Sequence, residues 1–315
     1  MVIDFSAHFI SHGVANILKT GNFGKDFPFP PENADPETRL RIMKKYGIDM
    51  QVLSLTTPIL SGYGAKDAAR ICKISNDDTS DICEKYPDKF AGNAVISLLD
   101  VGEAVDELDR AIGELGLKGL TISTNQNGKG LDSAEYAPFY DKVVKYDIPI
   151  FLHPTNWESY PLVDMKKGFR LMHILGWPFD TSQATCRLIF SGTLEKYPSL
   201  KIVTHHLGAM LPYFSRRLEL SFNSYSKDKL PKPLSEYLKR VYGDTALEGV
   251  AALACGYAFF GPDRMVFGTD YPFGPGKGGE VFVRNRLAAI KTMKIPKTHK
   301  AKILEINAKK LLKLR

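Results

Sequence analysis

Eight short runs rich in Val, Ile, Leu and Phe alternate with amphipathic stretches along 315 residues, with no linker between two compositional regimes. That pattern predicts an α/β chain folded as a (β/α)8 TIM barrel, in which each parallel strand is followed by a helix. With 44% hydrophobic, 24% charged and 11% aromatic residues, the chain has the composition of a globular protein with a packed core. Disordered, collagen-like and disulfide-scaffold classes are excluded, and a single barrel domain over 1–315 accommodates the whole length.

The strands are expected at 1–8 (MVIDFSAH), 49–56 (DMQVLSLT), 90–98 (FAGNAVISL), 116–123 (GLKGLTIS), 148–154 (IPIFLHP), 200–206 (LKIVTHH), 241–247 (VYGDTAL) and 264–272 (RMVFGTDYP). Between them, 38–48, 68–86, 101–116, 133–147 and 182–197 repeat apolar residues at helical spacing, and several end at Gly or at Tyr-Pro. The clearest stripe is Val101, Val105, Leu108, Ile112 and Leu115. Two stretches, 9–36 and 154–180, are too long for ordinary βα connections. Loops after strands rise at the face of a barrel where chemistry happens, so these insertions after strands 1 and 5 are candidate lids, with Phe27, Phe29, Trp157 and Tyr160 to pack them.

The formal net charge of +7 is concentrated at one end: 290–315 hold nine Lys or Arg and the single acid Glu305, while the rest carries 33 basic and 34 acidic residues. A basic terminal helix with Ile303, Ile306, Leu311 and Leu312 docked on the barrel exterior accounts for that, and nucleic acid is not an expected partner. No stretch of eighteen apolar residues and no signal-peptide pattern is present, so no membrane association is expected. Cys72, Cys83, Cys186 and Cys255 form no CxxC pair and read as reduced, buried thiols, which suits a cytoplasmic protein.

Of seven histidines, His8, His153, His205 and His206 fall at strand C-termini, Asp270 sits at the same level of the last strand, and His173 lies in the second insertion. Neutral imidazoles and carboxylates brought together from different strands are what a barrel metal site needs. Strand alternation puts Asp4, Ser6 and His8 on one face and Ile3, Phe5 and Ala7 on the other. His205 and His206, being adjacent, are expected on opposite sides of the sheet, without periodicity saying which faces inward. Asp244 reads either as a support for a histidine or as a turn residue. His173 could line the pocket or pack within a helix, and Trp177 reads as core. The GPGKGGE stretch at 274–280 lacks the GK[ST] of a P-loop and reads as a flexible loop, with Lys277 a candidate to approach an anion.

The segments IDFSAHF (3–9), YGIDMQVLSLTTP (46–58), YPDKFAGNAVISL (86–98), IPIFLHPTNW (148–157), SGTLEKYPSLKIVTHHLGAMLPYFSRR (191–217), FGTDYPFG (267–274) and INAKKLL (306–312) together resemble the amidohydrolase-related family of the amidohydrolase superfamily. Within it, the branch resembled contains aminocarboxymuconate-semialdehyde decarboxylase and the γ-resorcylate-type decarboxylases. The resemblance implies one divalent metal ion, zinc in the first place and manganese as the alternative, held by His8, His153 and Asp270. It further implies His206 as a base or substrate partner, Arg217 as a ligand for a substrate carboxylate, and His205 as an outward structural neighbour. Ser6 stands where the family places His or Glu, and a serine hydroxyl is a poor ligand beside imidazole or carboxylate.

The function expected is a metal-dependent, non-oxidative decarboxylase of a small aromatic or unsaturated carboxylic acid, with Asp270 and His206 moving the proton. A metal-dependent hydrolase such as a lactonase could use the same residues, and a barrel that lost its metal through Ser6 would be a binding protein. A small-molecule carboxylate is the expected ligand, and a homodimer the expected assembly.

Overall fold

The computed structural model describes residues 1–20, 35–155, 170–226, 230–247, 249–275 and 278–314. Among these, eight parallel strands form one sheet in sequence order: β1 (Ile3–His8), β2 (Met50–Ser54), β3 (Phe90–Ile96), β4 (Gly119–Ser123), β5 (Pro149–His153), β6 (Lys201–Thr204), β7 (Tyr242–Asp244) and β8 (Met265–Val266). The barrel is closed by backbone bonds from the first strand to the chain following β8: Phe5 N–H to the Phe267 carbonyl at 2.7 Å, Asp270 N–H to the Ser6 carbonyl at 2.8 Å, and His8 N–H to the Tyr271 carbonyl at 2.6 Å. The last strand is shorter than 264–272 because regular pairing stops at Val266, and by Asp270 the backbone has turned to φ +60°.

Helices pack outside, and their ends carry the expected chemistry. Asp35 accepts from the amides of Glu37 and Thr38, Pro36 occupies the first turn, and Gly47 at φ +69° ends the helix Pro36–Tyr46. Asp100 caps Val101–Gly113 by accepting from Glu103 N–H. Leu108 of that helix is fully buried, and Val101, Val105, Ile112 and Leu115 are half-buried against the same core, as the stripe predicts.

Strand alternation sorts the core into two layers. Ile150 and Leu152 join the layer beneath the helices, whereas Phe151 joins Ile3, Phe5, Val52, Val203 and Val266 in the barrel interior. Ala308, Leu311 and Leu312 belong to the same interior cluster, so the end of the chain closes the base of the barrel. The C-terminal segment is a correction to the expected single helix on the exterior. After Glu280–Thr292 the chain is interrupted at 293–296, then runs as one helix from Lys297 to Leu312 with a π-helical stretch at Lys302–Ile306, and Ile306 is 50% exposed.

The first strand also departs from simple alternation. Its register against β2 shifts between Asp4 and Ala7, so Phe5 and His8 share the interior while Asp4 is bonded elsewhere, to Gln51 and Thr269. His12–Thr20, read from sequence as insertion, is a helix, and the helix Trp177–Phe190 starts within the second insertion. Residues 21–34 and 156–169 of the expected lids, with Phe27, Phe29, Trp157 and Tyr160, lie outside the described residues, as does Lys277. All four cysteines are free; Cys72 is buried and the others are half-buried.

Candidate active site

Four histidines and one aspartate meet at the C-terminal mouth of the barrel. His8 ends β1, His153 ends β5, His205 and His206 follow β6, and Asp270 follows β8. The rings of His8 and His153 are 4.8 Å apart, those of His153 and His205 stack at 5.1 Å, and those of His205 and His206 are 3.9 Å apart. Asp270 Oδ1 lies 3.1 Å from His8 Nε2 and 3.6 Å from His205 Nε2. Among the described residues, two groups have ligand atoms close enough to share a cation: His8, His153 and His205, and His205, His206 and Asp270.

His205 is the main correction to the sequence reading, since it is buried and turned into the site. Strand geometry ends at Thr204, and the backbone then enters the left-handed region at His206 (φ +53°), Leu207 (φ +56°) and Ala209 (φ +54°). Alternation between neighbours therefore fails, and both imidazoles reach the same mouth. Such backbone is costly for residues with a side chain and persists where surrounding contacts enforce it.

Each of three imidazoles has its Nδ1 beside an oxygen acceptor. His8 Nδ1 lies 3.4 Å from the Ser54 carbonyl, His153 Nδ1 lies 2.8 Å from the Pro154 carbonyl, and His205 Nδ1 lies 2.6 Å from Asp244 Oδ2. Metal-binding histidines characteristically donate their second N–H in this way, which fixes the tautomer and frees the other nitrogen. His206 differs: its Nδ1 is buried with no hydrogen-bond partner among the described residues. The donor set and the orientation of its rings fit a divalent cation of the zinc or manganese kind.

The electrostatics agree with that division. Burial holds the His206 imidazole down at about 3, helped by neighbouring His205, so it is neutral at physiological pH. Burial likewise lowers His153 well below its usual range, with His8 and His205 adding to the effect. For His205 burial also pushes down, but the Asp244 carboxylate outweighs it and raises the ring to about 9. Asp244 itself is held low because His205 and the Ser6 hydroxyl overcome its burial. Asp270 is held well below the carboxylate range by His205 and His8, against its burial.

The Ser6 hydroxyl lies so close to Gly268 that a Cβ at residue 268 would collide with it, and Asp244 borders the same spot. Asp244, bonded to His205 Nδ1, acts as the support for a histidine that sequence offered as one of two readings. Arg217 is exposed on the helix Leu211–Tyr225 and makes no described contact with the cluster. His173 is exposed and packs on half-buried Trp177 at 4.2 Å between rings.

Sequence reasoning missed a shell of supporting groups. Thr57 Oγ1 lies 3.2 Å from His153 Nδ1. Buried Arg286 donates to the Thr269 carbonyl at 2.6 Å and stands 3.7 Å from Asp270 Oδ2. Arg39, also buried, donates to the His8 carbonyl and to Gln51. None has a local signal; a buried arginine on an outer helix becomes visible only through tertiary contact.

The amidohydrolase family model matches residues 3–314. The chain is 32% identical over 244 residues to 2-amino-3-carboxymuconate-6-semialdehyde decarboxylase of Dictyostelium discoideum, covering 76% of this chain and 67% of that protein. It is 30% identical over 257 residues to γ-resorcylate decarboxylase of Rhizobium sp. strain MTP-10005, covering 75% and 76%. Its structure resembles that of 5-carboxyvanillate decarboxylase from Novosphingobium aromaticivorans, solved with manganese and 4-hydroxy-3-methoxy-5-nitrobenzoic acid. The TM-score is 0.88 at 25% identity, covering 100% of this chain and 96% of that one. On the extent of the family match, the barrel and the strand-end cluster, this chain is an enzyme of the amidohydrolase family.

Proposed function

We propose that the protein is a divalent-metal-dependent, non-oxidative decarboxylase of a small aromatic carboxylic acid. The observation that carries this reading is the cluster of inward-facing imidazoles and Asp270 at the barrel mouth, on a chain similar along its length to decarboxylases of such acids. Zinc or manganese would be held by His8, His153 and Asp270. When bound it supplies a positive centre that anchors and polarises substrate oxygens.

The reaction needs no redox partner. A proton is added at the ring carbon bearing the carboxylate, the bond to that carboxylate breaks, its electron pair returns to the ring, and carbon dioxide leaves. His206, whose Nδ1 has no hydrogen-bond partner among the described residues, is the group placed to hand on the proton, with Asp270 beside it.

The helix Leu211–Tyr225 buries only Leu211 and exposes Tyr213 (79%) and Tyr225 (85%) along with Phe214 and Leu220. An apolar face of this kind supports a homodimer, with Arg217 on the same stripe as Tyr213 and Leu220. Free thiols and the absence of any described helix long and apolar enough to cross a membrane support a cytoplasmic location.

The reading is tested by offering hydroxybenzoates and lactones to protein loaded with Mn2+ or Zn2+. Carbon dioxide release from an acid supports it, and lactone hydrolysis with no carbon dioxide from any acid contradicts it.

A further inference from the structure

We propose that His205 is a metal ligand of this enzyme, oriented by Asp244, and that it takes over the share of the site that Ser6, within the barrel's first strand, does not supply. The inference rests on the metal-dependent reading above and adds to it a residue which sequence reasoning placed outside the site.

Three observations carry it. His205 is the one residue common to both groups of ligand atoms that could share a cation among the described residues. Its ring stacks on His153 at 5.1 Å and its Nε2 lies 3.6 Å from Asp270 Oδ1, so it faces the same centre as the other donors. Its Nδ1 sits 2.6 Å from buried Asp244, the carboxylate–imidazole pairing that commits Nε2 to a metal.

The Ser6 hydroxyl meanwhile is buried beside Gly268, with no hydrogen-bond partner among the described residues. A small residue there leaves room for Asp244 to stand behind His205, and Gly268 is kept without a side chain by the same crowding. Position 6 therefore supports the ligand on β6 instead of acting as a ligand on β1. His206, turned into the mouth by left-handed backbone but with no acceptor at Nδ1 among the described residues, is left for proton transfer.

The test is calorimetric titration of Mn2+ and Zn2+ into full-length, metal-free protein, with metal content after dialysis, for wild type, His205→Ala, Asp244→Asn and His206→Ala. Thermal melting by circular dichroism establishes which variants are folded. The expected result is one equivalent bound by wild type and a roughly 10–100-fold loss of affinity in Asp244→Asn. His205→Ala should lose more than that, and His206→Ala should stay within about threefold of wild type because it removes no ligand.

If wild type binds one equivalent and His205→Ala binds equally well, the assignment is overturned. If His206→Ala loses as much affinity as His205→Ala, the division of roles between the two is overturned. Should His205→Ala not fold, unchanged affinity in Asp244→Asn overturns the proposal. If wild type itself takes up neither metal, the metal-dependent reading fails first and this inference with it.

Discussion

His205 donates from Nδ1 to Asp244 Oδ2 at 2.6 Å, and both residues are buried at the barrel mouth. In the metal-free protein burial would discharge the ring, yet Asp244 prevails and keeps it protonated up to about 9. A cation requires the neutral imidazole, so metal binding at pH 7.5 is expected to release close to one proton, and affinity should rise with pH until about 9. Calorimetry in buffers of different ionisation enthalpy measures the proton count; a count near zero would contradict this account of the pair.

His206 is expected to matter for turnover and not for folding. Its ring is neutral, held down at about 3 by burial, and its Nδ1 has no partner among the described residues. Replacing it with Ala should lower kcat by roughly 10²–10⁴-fold, the range for a lost proton-transfer group, with little change in melting temperature. Steady-state kinetics beside a thermal melt checks this, and an unchanged kcat would remove His206 from the mechanism.

Asp4 gives the fold a pH signature separate from the metal cluster. Burial pushes its carboxyl up from 3.8 to about 6, against hydrogen bonds from Thr269 and Gln51. Between those values the folded protein binds the proton more tightly than the unfolded chain, so this group's stabilising contribution is present below about pH 4 and is lost as pH rises to about 6. The change amounts to roughly 3 kcal/mol. Denaturant titrations of wild type and Asp4→Asn across pH 4–7 should differ by this slope; parallel curves would refute it.

The two halves of the C-terminal segment are expected to behave differently. Leu312 is buried in the interior cluster at the barrel base, and Leu312→Ala should cost about 2–5 kcal/mol. The lysines face outward: Lys309 pairs with Glu305 at 3.0 Å and Lys313 with Asp147 at 3.2 Å. Neutralising Lys309, Lys310 and Lys313 should change stability by no more than about 0.5 kcal/mol for each exposed site and leave turnover unchanged. A large fall in activity would show that the terminal charge serves catalysis.

What the sequence made legible follows physical regularity. His153 and Asp270 were readable because barrel chemistry gathers at strand ends, and His153 keeps strict alternation with Phe151 below it. His205 was not readable, because alternation is a property of extended strands and the chain leaves that conformation after Thr204. Asp4 was misplaced for a related reason: the register shift in β1 moves it out of phase with His8. Arg286 carries no pattern at all; it reaches Asp270 from a helix whose packing is decided by the closed barrel.

The central claim, metal-dependent decarboxylation at the His–Asp cluster, is tested most directly by reaction in D2O. Manganese-loaded protein is offered 2,6-dihydroxybenzoate and other hydroxybenzoates, with products read by NMR and carbon dioxide quantified. The account predicts one carbon dioxide per product molecule, one deuterium at the ring carbon that carried the carboxylate, and loss of the reaction on chelation with recovery on adding Mn2+ or Zn2+. Protein holding a full equivalent of metal that releases no carbon dioxide from any of these acids would contradict it.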